Sequence, residues 1–270
     1  WGTLPAALTQ IEEAVARGAD VTFDAYPFTF GCSTVVTLLP AAVLDTDMAT
    51  LVRRLGDPAV RAAVRTALSR PESLFASVGP ERVVIAGSVS PELCRYGGRT
   101  LAEVARERRV DPVEALLDLV IADHGRTSIF LFQMDEADVR RALVHPLGML
   151  GSDGIPVQHG VAHPRLRSAF LQMLCHYTLG ERLCSLPAAV RKLSVLPARR
   201  LGLARRGALV PGAAADVVVA DVSRTRPAAD PFRPGPFRGV DAVVLNGQVV
   251  VEDATCTGLR AGVFLGGELP

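Results

Sequence analysis

Lysine is almost absent from this chain: Lys192 is the only one among 29 basic residues. The positive charge is therefore arginine, no arginine run stands out, and 28 acidic residues leave a net charge of +1. Near-neutrality without a basic patch argues against a nucleic-acid or anionic-membrane surface. Cysteines are few and odd in number: Cys32, Cys94, Cys175, Cys184 and Cys256, with no CxxC pairing. That favours reduced thiols in a cytoplasm over a disulfide framework or a zinc ribbon. No apolar run approaches the length of a membrane span, and no secretory leader is visible. The chain opens on Trp1-Gly2 rather than Met and runs straight into a helical pattern, so it is expected to be a piece of something longer.

What is present describes a globular chain of 270 residues, 49% of them hydrophobic, enough for one large domain or a domain and a half. Its most informative stretch is Met149-Leu150-Gly151-Ser152-Asp153-Gly154, an apolar run ending in a carboxylate between two glycines. A strand that stops there delivers Asp153 to its C-terminal edge, where α/β barrels place their chemistry. The two glycines are expected to supply the sharp turn and the room for a ligand. Taken alone, the motif suits equally an aspartate that closes a turn or caps a helix, the commoner use of Asp-Gly. His163-Pro164-Arg165 follows ten residues on, read as a Pro-bounded loop able to fold back over the same edge.

Along the chain, residues 5–17 carry Leu8, Ile11, Ala14 and Val15 on one helical face, and Val21 to Tyr26 alternates as a strand that Pro27 ends. Helix followed by strand is the repeat of a parallel sheet or barrel. Residues 28–39 read as a small-residue loop, and helices are expected at 47–55 and 58–68. The stretch at about 36–80 is too long for an ordinary connection and reads as an inserted helical subdomain or lid. A short strand follows at 82–86, then helices opened by Thr100-x-x-Glu103 and Asp111-Pro112-x-Glu114, both like capping boxes. A buried strand is expected at 127–132, a helix from Asp135, and helices at 170–177 and 186–201. After Gly207 the character turns to β: a strand at 216–221, an irregular loop at 224–239, and a hairpin at 243–251 with an Asn246-Gly247 tip. The expected division is a partial (β/α) barrel over 1–203 and a C-terminal β-segment over 204–270.

These residues together carry a resemblance. The order is Asp24-Ala25-Tyr26-Pro27-Phe28, Gly31-Cys32-Ser33-Thr34, Gly151-Ser152-Asp153-Gly154, His163-Pro164-Arg165, Leu196-Pro197-Ala198-Arg199, Pro211-Gly212, Ala215-Asp216 and Asn246-Gly247. It resembles the C-terminal half of the N-acyl-D-amino-acid deacylases (D-aminoacylases) of the amidohydrolase superfamily, over essentially the whole chain. The resemblance implies a metal-dependent (β/α)8 barrel with a late helical lid, plus a small β-domain built from both chain ends. It implies zinc, with Asp153 both a metal contact and the group that moves the proton of the attacking water. It implies Tyr26, Ser33 and Arg165 as the groups that hold the carboxylate of an N-acyl amino acid, with Ser152 and His163 supporting them from behind. The family's His-x-His pair and most other zinc ligands match no residue here and would precede Trp1, in a missing N-terminal half. His159-x-x-x-His163 is flanked by Pro156 and Pro164 and reads as a loop, not a ligand pair on one helical face; His124, His145 and His176 read as surface or capping residues. Phe28 stands where the family often has a second Tyr, and residues 166–170 depart from its usual run. Two other readings remain open: a cyclic-amide hydrolase of the hydantoinase or dihydroorotase kind, and a metal-free remnant without catalysis.

Overall fold

A computed structural model describes residues 2–157, 159–221, 223–224 and 239–265. Many of its helices begin where a side chain satisfies a free N–H group of the first turn. Helix α1 (Leu4–Ala16) opens on Pro5 and leads into strand β1 (Phe23–Ala25), which stops two residues before Pro27. Strand β2 (Gly31–Thr34) corrects the loop expected at 28–39. Its residues are small and carry no strand pattern of their own; a partner at residues 128–131 supplies the ladder. Helices α2 (Ala41–Leu44), α3 (Met48–Leu55), α4 (Pro58–Leu68) and α5 (Leu74–Val78) follow. Asp47, Asp57 and Ser73 cap the last three, accepting from Thr50, Ala59 and Ala76 N–H at 2.9, 2.8 and 3.0 Å.

Strand β3 (Val83–Gly87) precedes α6 (Leu101–Arg108), where Thr100 and Glu103 form the reciprocal box read from the sequence. At α7 (Pro112–Ala122) the box is only half made. Asp111 accepts from Val113 N–H, but the Glu114 carboxylate turns away to Arg61 and Arg65 of α4, because a charge-assisted bond is stronger than one to a neutral N–H. Strand β4 (Ser128–Leu131), helix α8 (Glu136–Val144) and strand β5 (Gly148–Leu150) come next, α8 capped by Asp135. Helix α9 (Arg165–Gln172) runs on into a π-helical stretch, Met173–Gly180. Helices α10 (Leu186–Val190) and α11 (Leu196–Arg200) are joined by a second one, Arg191–Val195. The chain closes with β6 (Val217–Ala220), β7 (Val240–Leu245), β8 (Gln248–Glu252) and β9 (Thr255–Cys256). Nearly all of the loop expected at 224–239 lies outside the described residues.

The chain divides into two compact units. The first comprises Trp1–Phe28, Asp135–Gly154 and Pro164–Pro270. In it β1 and β5 pair in parallel, Phe23 opposite Gly148 and Ala25 opposite Leu150, with α8 leading into β5 and packed on both strands. The same unit carries the antiparallel sheet β6-β7-β8-β9. At its hairpin tip Asn246 and Gly247 both take positive φ, 49° and 79°, the turn that an Asn-Gly pair favours. The second unit comprises Thr29–Met134 and Ile155–His163. It holds the antiparallel sheet β2-β4-β3 and one hydrophobic core in which Leu55, Leu101, Leu116, Leu117, Val120 and Ile129 are fully buried. Burial of each such side chain is worth about 1.5–3 kcal/mol, so this core organises α3 to α7 around the sheet. No helix among the described residues is long and apolar enough to cross a membrane.

Candidate active site

Three residues expected to act together meet in the first unit. Asp153 lies three residues past the end of β5, beyond its C-terminal edge. Its carboxylate pairs with Arg165, Oδ2 to Nη2 at 2.8 Å. The guanidinium carbon of Arg165 stands 4.7 Å from the centre of the Tyr26 ring, which follows β1 on the same edge. Arg165 is 2% exposed and the Asp153 side chain 57%, so a buried cation is paired with a carboxylate that faces solvent. A buried guanidinium needs this company: the carboxylate offsets its charge, and the π-face of Tyr26 replaces lost hydration.

The turn itself is built differently from the expectation. Neither Gly151 nor Gly154 takes a left-handed φ; Asp153 does, at 45°. Aspartate tolerates this region better than most residues because its short side chain bonds locally. The glycines serve close approach instead. A Cβ on Gly154 would lie 3.0 Å from the Leu166 backbone, and one on Gly151 would collide with Asp24. Ser152 Oγ accepts from Gly154 N–H at 3.4 Å and helps close the turn.

Arg165 stands at the first position of α9, not in a loop. Pro164, its φ at −57°, is already shaped for a helix start, and Ser168 N–H and Oγ both bond Pro164 O at 2.9 Å. A helix N-terminus and a guanidinium at one point favour a carboxylate there, whether that of Asp153 or one brought by a ligand.

Ser33 and His163 belong to the second unit. Ser33 lies on β2 opposite Ile129, its hydroxyl against that of Thr37. His163 is 2% exposed, its Nε2 at 2.9 Å from Phe30 O, its ring 4.3 Å from that of Phe30 and edge-on to Phe130. His145, read as a surface or capping residue, is the C-cap of α8 and is buried there. Its Nε2 meets Glu12 at 3.1 Å and its Nδ1 accepts from Leu147 N–H, because the chain turns back there into β5.

Sequence reasoning missed two further residues. Lys192, the sole lysine, is buried and donates to Gly148 O at 2.8 Å and to His145 O, anchoring the start of β5 at the end opposite Asp153. Burial pushes its pKa down. A hydrophilic residue within a helical run gives no sequence signal for such a role. Asp24, on β1 beside Met149, overlies Gly151; the strand pattern marked it only as a polar position.

The donors present do not make a zinc centre. Asp153 has no cluster of further ligands among the described residues. One group of three does stand close together, Glu136, His176 and Glu181. Arg140 already holds Glu181 with two bonds of 2.8 Å and reaches Glu136 at 3.5 Å, so its charge is met.

The chain as a whole has known relatives. The chain matches the amidohydrolase family over residues 5–251. It is 34% identical over 255 residues to N-acyl-D-glutamate deacylase of Alcaligenes xylosoxydans xylosoxydans, covering 94% of this chain and 43% of that relative. A crystal structure of D-aminoacylase, described as defining a novel subset of amidohydrolases, superposes with a TM-score of 0.73 at 30% identity, over 97% of this chain and 46% of that one. N-acyl-D-glutamate deacylase from Bordetella bronchiseptica, complexed with zinc and a phosphonate mimic of the tetrahedral intermediate, superposes with a TM-score of 0.71 at 29% identity, over 93% and 44%. The chain thus spans less than half the length of each. Matched along nearly its whole length, it is a member of the amidohydrolase family.

Proposed function

We propose that this chain is the C-terminal half of a zinc-dependent amidohydrolase that removes the acyl group from N-acyl-D-amino acids. The observation that carries the reading is the Asp153–Arg165–Tyr26 constellation at the C-terminal edge of parallel strands, in a chain similar to deacylases of acidic D-amino acids. Asp153 takes the proton of the attacking water and returns it to the departing amine nitrogen, the two transfers that amide hydrolysis requires. Arg165, held by the Tyr26 ring and the α9 N-terminus, receives the substrate's α-carboxylate. Ser152 and His163 keep the turn and the segment before Pro164 in place. Zinc supplies carbonyl polarisation and an acidified water when bound. Apart from Asp153 its ligands come from residues preceding this chain, consistent with the chain's covering 43% of its relative.

In this reading β1 and β5 are two strands of a (β/α)8 barrel over 1–203, the helices of about 36–80 form its lid, and residues 204–270 belong to the small β-domain. The parallel pairing of β1 with β5 around α8 supports the barrel. The test is hydrolysis of N-acetyl-D-glutamate, its L-enantiomer and neutral N-acetyl-D-amino acids by the whole protein loaded with zinc. Release of the D-amino acid with at least about tenfold preference over L, roughly 1.4 kcal/mol of discrimination, is expected. Hydrolysis of dihydroorotate or hydantoins in its place would overturn the assignment.

A further inference from the structure

The backbone at Gly151 is in an ordinary region of φ, so conformation alone would allow a side chain there. Asp24 forbids it. A Cβ built on Gly151 would lie 1.9 Å from Asp24 Oδ2 and 2.9 Å from its Cγ. The carboxylate of Asp24 therefore rests on the α-carbon at which the Asp153 turn begins. The same residue is tied to β1 by its main chain, since Gly151 N–H donates to Ala25 O at 3.2 Å. Two residues on, Asp153 takes its left-handed φ and its carboxylate meets Arg165. Asp153 is only two residues from Gly151, with consecutive α-carbons about 3.8 Å apart, so the placement of Gly151 bears directly on where the turn presents Asp153. A displacement of about 1 Å in a reacting group costs on the order of 100-fold in rate.

We propose that Asp24 is a positioning residue: packed on Gly151, its side chain fixes the turn that presents the Asp153 carboxylate to the substrate amide. The proposal rests on the reading of Asp153 as the proton shuttle. Shape carries the effect, so an amide of the same size serves in place of the carboxylate.

Four variants of the whole protein test it: Asp24→Ala, Asp24→Asn, Gly151→Ala and the Asp24→Ala/Gly151→Ala double. With N-acetyl-D-glutamate, Asp24→Ala should lower kcat at least about tenfold and leave KM within about threefold, because the carboxylate anchor is untouched. Asp24→Asn should restore kcat to within about threefold of wild type. Gly151→Ala, which pushes the carboxylate aside, should resemble Asp24→Ala, and the double variant should be little worse than either single one, as expected for two residues acting through one contact. An unchanged kcat in Asp24→Ala, an Asp24→Asn as slow as Asp24→Ala, or losses that simply add would overturn the proposal. A second readout needs no activity. Thermal unfolding of single and double variants at Asp153 and Arg165 measures the coupling of that pair, and the coupling should shrink when Asp24 is replaced by Ala. If the wild type hydrolyses no N-acyl amino acid, the functional reading fails and this coupling alone decides: a value unchanged by Asp24→Ala overturns the positioning role.

Discussion

At the scale of single residues, Asp153 combines an uncommon backbone with an exposed carboxylate on a buried partner. Asn adopts the left-handed region as readily as Asp, so Asp153→Asn keeps the turn and removes the proposed base. We expect kcat to fall by about 10²–10⁴-fold and the melting temperature to fall as well, because the buried Arg165 loses its charge partner; kinetics and a melting curve on the same preparation check both halves. Arg165 separates two roles. As the carboxylate anchor, its replacement by Met should cost about 1.5–3 kcal/mol in kcat/KM, on the order of 10- to 150-fold, for an N-acyl amino acid. An N-acyl amino-acid amide, already a poor substrate, should lose little further. Equal losses on acid and amide would remove Arg165 from that role. Arg165→Lys should rescue only in part, since an ammonium cannot reproduce the planar fork. The Tyr26 ring lies over the guanidinium, so Tyr26→Phe should leave stability intact and raise KM, whereas Tyr26→Leu should also cost about 0.5–2 kcal/mol of stability.

At the scale of elements, the clearest device is the buried Asp123 at the end of α7. Its carboxylate accepts from Ser90 and Val89 N–H at 2.8 and 3.2 Å and from the Thr127 hydroxyl at 2.9 Å, tying the loop after β3 to the start of β4. Burial alone would raise its pKa, but these donors outweigh burial and hold it below the ordinary carboxylate value. A group with a depressed folded pKa adds stability above its unfolded pKa, about 3.9, and loses it as pH falls through the folded value. Asp123→Asn should therefore cost about 1.5–3 kcal/mol at pH 7, and the gap between wild type and variant should close below about pH 4, as denaturant titrations at several pH values would reveal. Thr100→Ala, which opens the α6 capping box, should cost about 1 kcal/mol at any pH. The elements most legible in the sequence are those with such local signals: α3, α4, α6 and α7 all begin at a readable Asp or Thr, and β7–β8 at Asn246-Gly247. Strand β2 was not legible, because Gly31-Cys32-Ser33-Thr34 becomes a strand only through its partner β4.

At the scale of the whole molecule, the described residues leave β1 and β5 as a two-stranded parallel pair and Asp153 without companion ligands. A pair of strands by itself is marginal, and open edges invite association. We expect the 270-residue chain expressed alone to associate and to retain no stoichiometric zinc after dialysis, as metal analysis and light scattering would report, while the whole protein retains it. One zinc per chain held by a monomeric preparation would show that a ligand set lies within these residues. Sequence alone determined much of the alternation of helix and strand and the β-rich end, because capping, periodicity and turn chemistry act over a few neighbours; Asp153, Tyr26 and Arg165 were singled out through the family resemblance that their motifs carry. Only the tertiary structure decided that Arg165 opens a helix rather than lying in a loop, that Asp153 itself takes the left-handed conformation, and that the Asp24 carboxylate lies where a Gly151 side chain would be. Those facts depend on atoms brought together from residues 24–26, 151–154 and 165–166, and no local pattern encodes a contact across more than a hundred residues.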